Sequence, residues 1–302
     1  MGVDLQRLTN TRFATQIGLG VIGRMPTRVG YRVADFAADR LSSQREQPMI
    51  AGLRGNLRVA CGESMSSAEF EGVARRTMRN RARALFDFYH TLGRDSEMMA
   101  MVNNNPRFTE LLEKNVNRIQ GAVVVMIHMG NPELTAIACP LLGLRGLGLT
   151  FPGESGGYEL LNEIRERVGV QAIPTTMASI KKAIQYLKDN GTIFTGLDRP
   201  LPESGYQPRF FGKPAPLPVH HVMMALKADV PVVVVGSKRQ TDGKYDLLIS
   251  DFIYMERQSD RKTELLANTE RLLAVAEDFI RQAPEQWAMF YPLWPKKQAE
   301  IQ

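Results

Sequence analysis

The sequence predicts an α/β fold with a mostly parallel central sheet flanked by helices, preceded by a helical N-terminal region. From Gly121 onward, short β-branched runs alternate with segments of helical periodicity. Most of these runs are nearly continuous in apolar residues, which is typical of parallel strands buried on both faces. Before Gly121, apolar residues recur at helical spacing, which indicates a packed helical layer. Alternation of this kind is the pattern of a sheet covered by helices.

The N-terminal part is basic and helical in pattern over residues 1–45, and residues 66–117 form a second helical region. The uncharged run at 13–23 is too short to span a bilayer, which takes roughly 20 apolar residues. Arginines flank and follow this run, so it is expected either to lie in a membrane interface or to pack as a surface helix. We therefore divide the chain into this first segment and one α/β domain at 46–302.

The alternation after Gly121 assigns the later elements in order. Strands are predicted at 122–128, 145–151, 170–174, 192–197, 230–236 and 244–253. Helices are predicted at 132–138, 157–169, 177–191, 219–228 and 262–282, with a proline- and glycine-rich loop at 198–218. Ligands of such sheets bind outside the carboxyl ends of the strands, so the functional site is expected there.

Composition limits the classes of molecule that the chain is expected to bind. The chain of 302 residues carries a net charge of +6, which suits an anionic partner such as a membrane surface, a phosphorylated substrate or an acidic carrier protein. The positive charge is scattered among acidic residues and no recognised module appears, which argues against nucleic acid as a partner. Cys61 and Cys139 form no metal or redox motif, and they indicate a reducing compartment.

A first glycine motif, GLGVIG at Gly18–Gly23, matches the dinucleotide-binding pattern G-x-G-x-x-G. That pattern binds phosphate only between a strand and a helix. Residues 10–16 make a poor strand, and Pro26 falls where the phosphate-binding helix should run. Nicotinamide or flavin binding is therefore disfavoured, and no cofactor is expected.

A second motif, GESGG at Gly153–Gly157, matches the G-x-S-x-G turn of α/β-hydrolases and lies between a predicted strand and a predicted helix. Ser155 would be the nucleophile, Asp198 the acid, and His220 or His221 the base. The two histidines come at the start of a helix, which fits this order poorly. A serine esterase stays an alternative, beside a plain polar loop with Ser155 near the helix N-terminus.

The third motif pairs His128 with Glu133, and its context is the most informative. His128 ends the apolar run that begins at Gly121, and it therefore lies at the carboxyl end of a strand. Asn131 is a good helix N-cap and Pro132 suits the first helical position, so Glu133 falls in the first turn. We expect Glu133 to accept a hydrogen bond from one ring nitrogen of His128. The other ring nitrogen would then be free to act as a general base. The alternative is a structural histidine with Glu133 complementing the helix dipole.

Four segments together resemble the bacterial lipid acyltransferases, the family of the lipid A late acyltransferases and the phosphatidylinositol mannoside acyltransferases. HMGNPEL resembles their H-x-G-N-[W]-E/D-L signature, with Pro132 where many relatives carry tryptophan. The other segments are similar to their R-x-N-L segment, their F-F-G-x-P-A loop and their Q-W segment. These segments lie at 53–63, 196–235 and 284–295. The resemblance therefore spans about residues 50–295.

The resemblance implies site residues and a fold like that of the glycerolipid acyltransferases. His128 would be the general base, Glu133 its orienting carboxylate, and Gly130 and Asn131 the residues that shape the turn at the substrate. Further polar residues are expected in the active-site loop: Asp198, Arg199 and Glu203. Backbone N–H groups near Gly130 or Arg199 are candidates for stabilising an oxyanion.

The resemblance also implies an activity. It is transfer of a fatty acyl chain from a thioester, on acyl carrier protein or coenzyme A, to a hydroxyl of a lipid or glycolipid. The enzyme would work at the cytoplasmic face of the inner membrane, peripheral or monotopic, without a metal. A serine esterase using Ser155 and a non-catalytic lipid-binding protein are the competing hypotheses. The N-terminus is shorter and less apolar than in relatives with a clear membrane anchor.

Overall fold

A computed structural model describes residues 20–62, 65–150 and 156–295, without the side chains of 156–161. The helices are α1 (Thr27–Ser42), α2 (Pro48–Cys61), α3 (Ser67–Thr91), α4 (Asp95–Ala100), α5 (Pro106–Val116), α6 (Pro132–Leu141), α7 (Gly156–Arg167), α8 (Met177–Lys188), α9 (His220–Ala228) and α10 (Arg261–Gln282). The strands are β1 (Val102–Asn103), β2 (Ala122–Met126), β3 (Gly146–Thr150), β4 (Val170–Pro174), β5 (Thr192–Gly196), β6 (Arg209–Phe210), β7 (Lys213–Pro214), β8 (Val232–Arg239) and β9 (Tyr245–Ile249).

Within these ranges the main sheet has seven strands in the order β1-β9-β8-β2-β5-β3-β4. All neighbouring strands in it are parallel except β8 and β9, which are antiparallel. β2 lies at the centre, where Val124 stands opposite Phe194 of β5 and Val233 of β8. The α/β fold with a mostly parallel sheet, predicted from the alternation after Gly121, is confirmed.

The sheet has a hydrophobic core on each face, which explains why its strands read as continuous apolar runs. Val123 and Val125 of β2 belong to one core, which includes buried residues of α8, α9 and α10. Val124 belongs to the other core, which includes Phe108 of α5 and Ile137 of α6. Because successive side chains of a strand point to opposite faces, β2 needs apolar residues at every position.

Several element boundaries differ from the prediction. α6 continues through Pro140 to Leu141, three residues beyond the predicted end, and β8 continues to Arg239. The loop at 198–218 contains the short antiparallel hairpin of β6 and β7. The GLGVIG motif is described only from Gly20 onward, and its last two residues belong to the 3-10 turn Ile22–Arg24. None of the helices in the described ranges is both long enough and apolar enough to cross a bilayer.

A segment near the C-terminus, residues 284–293, crosses the carboxyl end of the sheet and is called the C-terminal strap below. Asn56 of α2 is buried and donates hydrogen bonds to the carbonyl oxygens of Met289 at 2.9 Å and Tyr291 at 2.8 Å. Its own side-chain oxygen accepts from Leu293 N at 2.9 Å. At Gly52, one turn earlier, a Cβ would lie 2.3 Å from the Phe290 carbonyl oxygen. The RGNL segment of the sequence therefore holds the strap in place.

Two adjacent histidines begin α9, and His220 is the less buried of the two. His221 is fully buried, and neither of its ring nitrogens has a hydrogen-bond partner among the described residues. Burial lowers the pKa of His221 well below its ordinary value and lowers the pKa of His220 to about 4. Both imidazoles are therefore neutral in the folded protein at neutral pH.

This burial makes stability depend on pH. Below about pH 6.5 the unfolded chain binds a proton that the folded His221 does not, which costs about 1.4 kcal/mol per pH unit. His221→Phe keeps the ring shape and removes the unpaired nitrogens, so it should be at least as stable as the wild type at about pH 8. It should also lose less stability on acidification to about pH 5. Urea unfolding at both pH values measures this, and an unchanged loss on acidification would contradict it.

Candidate active site

The turn after β2 presents His128 at the carboxyl end of the sheet. Gly130 has a φ of +69°, and a Cβ there would lie 2.1 Å from the Ser237 carbonyl oxygen, so the turn requires glycine. Asn131 caps α6 as predicted, because its side-chain oxygen accepts from Leu134 N at 3.1 Å. Its amide group donates to Ala84 O of α3 at 2.7 Å. Gly130 and Asn131 thus fix the turn and attach it to neighbouring elements.

The side chain paired with His128 is Asp198. His128 Nδ1 lies 2.7 Å from Asp198 Oδ1, and the His128 backbone N–H donates to Asp198 Oδ2 at 3.0 Å. Trp287 Nε1–H of the C-terminal strap donates to the same Oδ2 at 2.8 Å. Asp198 and Trp287 are both fully buried. Because a carboxylate only accepts hydrogen bonds, His128 Nδ1 carries the proton, and Nε2 is left as the acceptor.

The prediction that His128 and Glu133 form a hydrogen bond is wrong. Glu133 instead forms a two-pronged ion pair with Arg81 of α3, with distances of 2.7 and 2.6 Å. Register explains the replacement: Met126 of β2 pairs with Gly196 of β5, so His128 and Asp198 each come two residues beyond a paired position. Glu133 lies in the first turn of α6 and meets a guanidinium whose geometry matches a carboxylate.

The charges of the site depend on these pairs. Burial opposes protonation of His128, but the Asp198 carboxylate outweighs it and raises the pKa of His128 above its ordinary value. Burial likewise opposes ionisation of Asp198, yet His128 and the Trp287 N–H hold its pKa below its usual range. For Glu133, the Arg81 guanidinium overcomes burial and lowers the pKa to about 2. Both carboxylates are therefore ionised at neutral pH.

The backbone amides of the turn are already engaged. The N–H of Gly130 donates to Gln286 O of the strap at 2.9 Å, and the N–H of Asn131 donates to Ser237 Oγ at 3.0 Å. The His128 N–H is bound to Asp198. In this conformation each of these three donors has an acceptor within the protein, so a backbone N–H near Gly130 or Arg199 as the oxyanion donor stays a prediction.

A cavity of about 1180 Å³ opens at this site. This volume exceeds the range of about 300–1,000 Å³ that is usual for small-ligand pockets. His128, Glu133, Arg199 and Glu203 line it, and most of the other lining residues are apolar. Asp198 lies behind His128, fully buried. The structure thus brings four of the six polar side chains predicted from the sequence to one cavity, with Asp198 buried behind His128 and Asn131 buried in the turn.

The pair of Asp198 with His220 or His221 that a serine esterase would need is not formed. Asp198 is bound to His128 and Trp287, while His220 Nε2 lies 3.0 Å from Thr195 Oγ1. The ring nitrogens of His221 have no partner in the described part of the chain. Ser155 itself lies outside the described residues. The order Ser, acid, His read from the sequence therefore does not correspond to a connected set of side chains.

Sequence reasoning missed two residues that support the site. Trp287 lies in the segment at 284–295 that resembles the Q-W segment of the family, but its sequence context does not indicate what the indole contacts. It packs against Phe210 and Phe211 of the loop at 198–218, with ring centroids 5.8 and 5.9 Å away. Arg81 lies in a helix with arginines at many positions, so no local signal marked it.

We expect Asp198→Asn to lower the pKa of His128, because it removes the adjacent negative charge that favours the imidazolium. NMR titration of the His128 ring measures this directly. Glu133→Gln is the matched comparison, since Glu133 also raises the pKa of His128, but only through space. It should lower the pKa less than Asp198→Asn does. A larger drop in Glu133→Gln would instead support the pairing expected from the sequence.

The sequence matches a known protein family. No curated protein matches the chain. The sequence model of the family described as bacterial lipid A biosynthesis acyltransferase matches residues 5–296, which is nearly the whole chain. The match includes each of the segments that meet at His128 and Asp198. The protein belongs to the bacterial lipid A biosynthesis acyltransferase family and is an acyltransferase.

Proposed function

We propose that this protein is a membrane-associated O-acyltransferase that moves a fatty acyl chain from an acyl thioester to a hydroxyl of a lipid or glycolipid. The observation that carries the proposal is the hydrogen bond between His128 and the buried Asp198 at the wall of a large apolar cavity. A general base beside an apolar cavity is what attack by a lipid hydroxyl on a thioester requires.

The proposed reaction follows from the proton positions. Asp198 holds His128 with Nδ1 protonated, so Nε2 takes the proton of the acceptor hydroxyl as its oxygen attacks the thioester carbonyl carbon. The tetrahedral intermediate then collapses, the carbon–sulfur bond breaks, and His128 returns the proton to the departing thiolate. The reaction needs no protein nucleophile, metal or other cofactor, because the acyl thioester is itself the activated co-substrate.

Glu133 and Arg81 have a different part in this proposal. Their ion pair is half-buried and leaves both charges in place beside the imidazole. The Glu133 carboxylate favours the imidazolium that forms during proton transfer, while Arg81 opposes it. We therefore propose Glu133 as a positioning residue that acts through charge and through Arg81, in place of the direct dyad expected from the sequence.

The cavity offers space for the acyl chain along α6. Pro132, Ala136 and Pro140 line it on one stripe of this helix, with Thr135 and Cys139 beside them. At about 1.5 Å per residue, Cys139 lies about 9 Å further along α6 than Glu133. Beyond it the wall continues with buried apolar residues: Phe108, Leu111, Leu144 and Ile249. We propose that the acyl chain lies along this wall with its thioester beside His128.

The donor and the cellular location remain proposals. Acyl carrier protein and coenzyme A both fit as carriers of the thioester, and the basic chain would attract either one. Arg199 lines the cavity and places its guanidinium 4.5 Å from the Tyr291 ring. Arg199 is a cationic candidate for holding an anionic carrier or acceptor group. We place the enzyme at the cytoplasmic face of the inner membrane, peripheral or monotopic.

We expect His128→Ala to lower acyl transfer by about 10²–10⁴-fold, the usual contribution of a general base. Purified protein would be assayed with labelled acyl-coenzyme A and labelled acyl-carrier protein, with and without a bacterial lipid extract. Because the base must be neutral, kcat/KM should rise with pH through the raised pKa of His128. Asp198→Asn should move that rise to lower pH and reduce the rate.

Ser155→Ala is the matched control and should leave transfer intact. Label that appears only as free fatty acid, and that is lost in Ser155→Ala but not in His128→Ala, would establish the esterase instead. Acyl-chain binding without turnover, unchanged in His128→Ala, would establish a lipid-binding protein.

We expect Cys139→Phe to shorten the acyl chain that the enzyme accepts, because a larger ring would fill the cavity beside α6. Transfer from long-chain thioesters should fall about tenfold or more relative to short-chain ones, the usual cost of overpacking. Cys139→Ser keeps the volume and should keep the chain-length preference. Equal losses for short and long chains in Cys139→Phe would contradict this placement of the acyl chain.

A further inference from the structure

α1 exposes an apolar stripe to solvent. Val29, Val33 and Phe36 are 46%, 53% and 75% exposed, and Phe36 is a full aromatic ring on the surface. Their spacing places them on one face of the helix. The apolar stripe of a surface helix normally faces the core, so this orientation requires an explanation.

The opposite face of α1 is polar and is bound to α3. Tyr31 donates to Asp87 at 2.7 Å, and Asp35 accepts from Arg83 at 2.7 Å. A further ion pair, Asp39 with Arg79 at 2.7 Å, extends this row by one turn.

The same contact side of α1 packs closely against α3. Gly30 touches the Phe86 ring so closely that a Cβ there would lie 2.0 Å from it. The row of polar contacts from Tyr31 to Asp39 fixes the rotation of the helix about its own axis. The apolar stripe therefore faces outward because the polar face is attached to the protein.

The outer face also carries positive charge. Arg32 and Arg40 are exposed beside the apolar stripe. The acidic residues of the helix, Asp35 and Asp39, are paired with arginines of α3 on the other side. An exposed apolar stripe bordered by arginine is the pattern of a helix that lies in the interface of an anionic bilayer.

The active-site cavity reaches this helix. Ala37, Ala38 and Leu41 of α1 line the same cavity as His128, and Ala37 is also exposed. Ala37 lies one helical turn after Val33, so the cavity wall and the apolar stripe are adjacent on one helix. A lipid that leaves a bilayer beside Phe36 would meet the cavity within one helical turn.

We infer that the outer face of α1 docks on an anionic lipid bilayer, with Val29, Val33 and Phe36 inserted and the arginines on lipid phosphates. This docking face makes the proposed membrane association more specific. Only the identity of the lipid that would enter the cavity rests on the proposed function. A second copy of the chain fits the face less well. A two-fold contact would bring Arg32 and Arg40 of both copies together, and like charges in an interface are costly.

Vesicle sedimentation with the full chain tests the docking face. Wild-type protein should bind vesicles of phosphatidylcholine with phosphatidylglycerol more tightly than vesicles of phosphatidylcholine alone. The double variant Val33→Ser/Phe36→Ser should weaken binding by about tenfold or more. Replacing Arg32 and Arg40 by glutamine should weaken binding to anionic vesicles by about fivefold per arginine. Met177→Ser, at a residue of α8 that is 71% exposed, is the matched control and should bind as the wild type does.

Two results would overturn the inference. One is that Val33→Ser/Phe36→Ser binds vesicles as tightly as the wild type does, or that neither protein binds vesicles at all. The other is a concentration-dependent dimer, seen by light scattering, that this variant abolishes without any loss of lipid binding. Thermal unfolding checks that each variant folds. His128→Ala should bind vesicles as the wild type does, so a failure of docking and a failure of the acyl-transfer proposal are distinguished.

Discussion

The buried carboxylate of Asp198 is the constraint on which the active site depends. A fully buried charge is costly unless its oxygens are satisfied, and here the partners come from two different parts of the chain. The turn after β2 contributes the ring and the backbone N–H of His128, and the C-terminal strap contributes Trp287. The same bonds that stabilise the carboxylate also orient the imidazole. Removing the hydrogen bonds from either part of the chain would disturb the orientation of His128 and leave the Asp198 charge less well satisfied.

The strap extends this dependence to distant segments. The N–H of Ala288 donates to the His128 carbonyl oxygen, and Gln286 accepts from Gly130, so the strap pairs with the catalytic turn along its backbone. Asn56 of α2 holds the far part of the strap, and Phe210 packs on Trp287. The segments of the sequence that resemble one family therefore meet in one place. Three of them contribute residues to the cavity wall, and the segment at 53–63 acts through the strap instead.

The two faces of α1 show how polar pairing can direct an apolar surface outward. Asp35 and Asp39 meet arginines of α3, and this leaves Val33 and Phe36 on the outside. The run at 13–23, which the sequence made the candidate for the membrane interface, lies mostly outside the described residues. The face that the structure offers instead begins a few residues later and borders the cavity.

The sequence by itself determined the fold class, the order of the strands and helices after Gly121, and the position of His128 at a strand end. Periodicity and caps are local signals, so they could be read without knowing which segments meet. Only the tertiary structure decided the partner of His128. Glu133 is close along the chain, but the first turn of α6 directs it to Arg81, while parallel pairing in register brings Asp198 to the imidazole. Spacing along the chain contains no information about strand register, and the register determines which carboxylate pairs with His128.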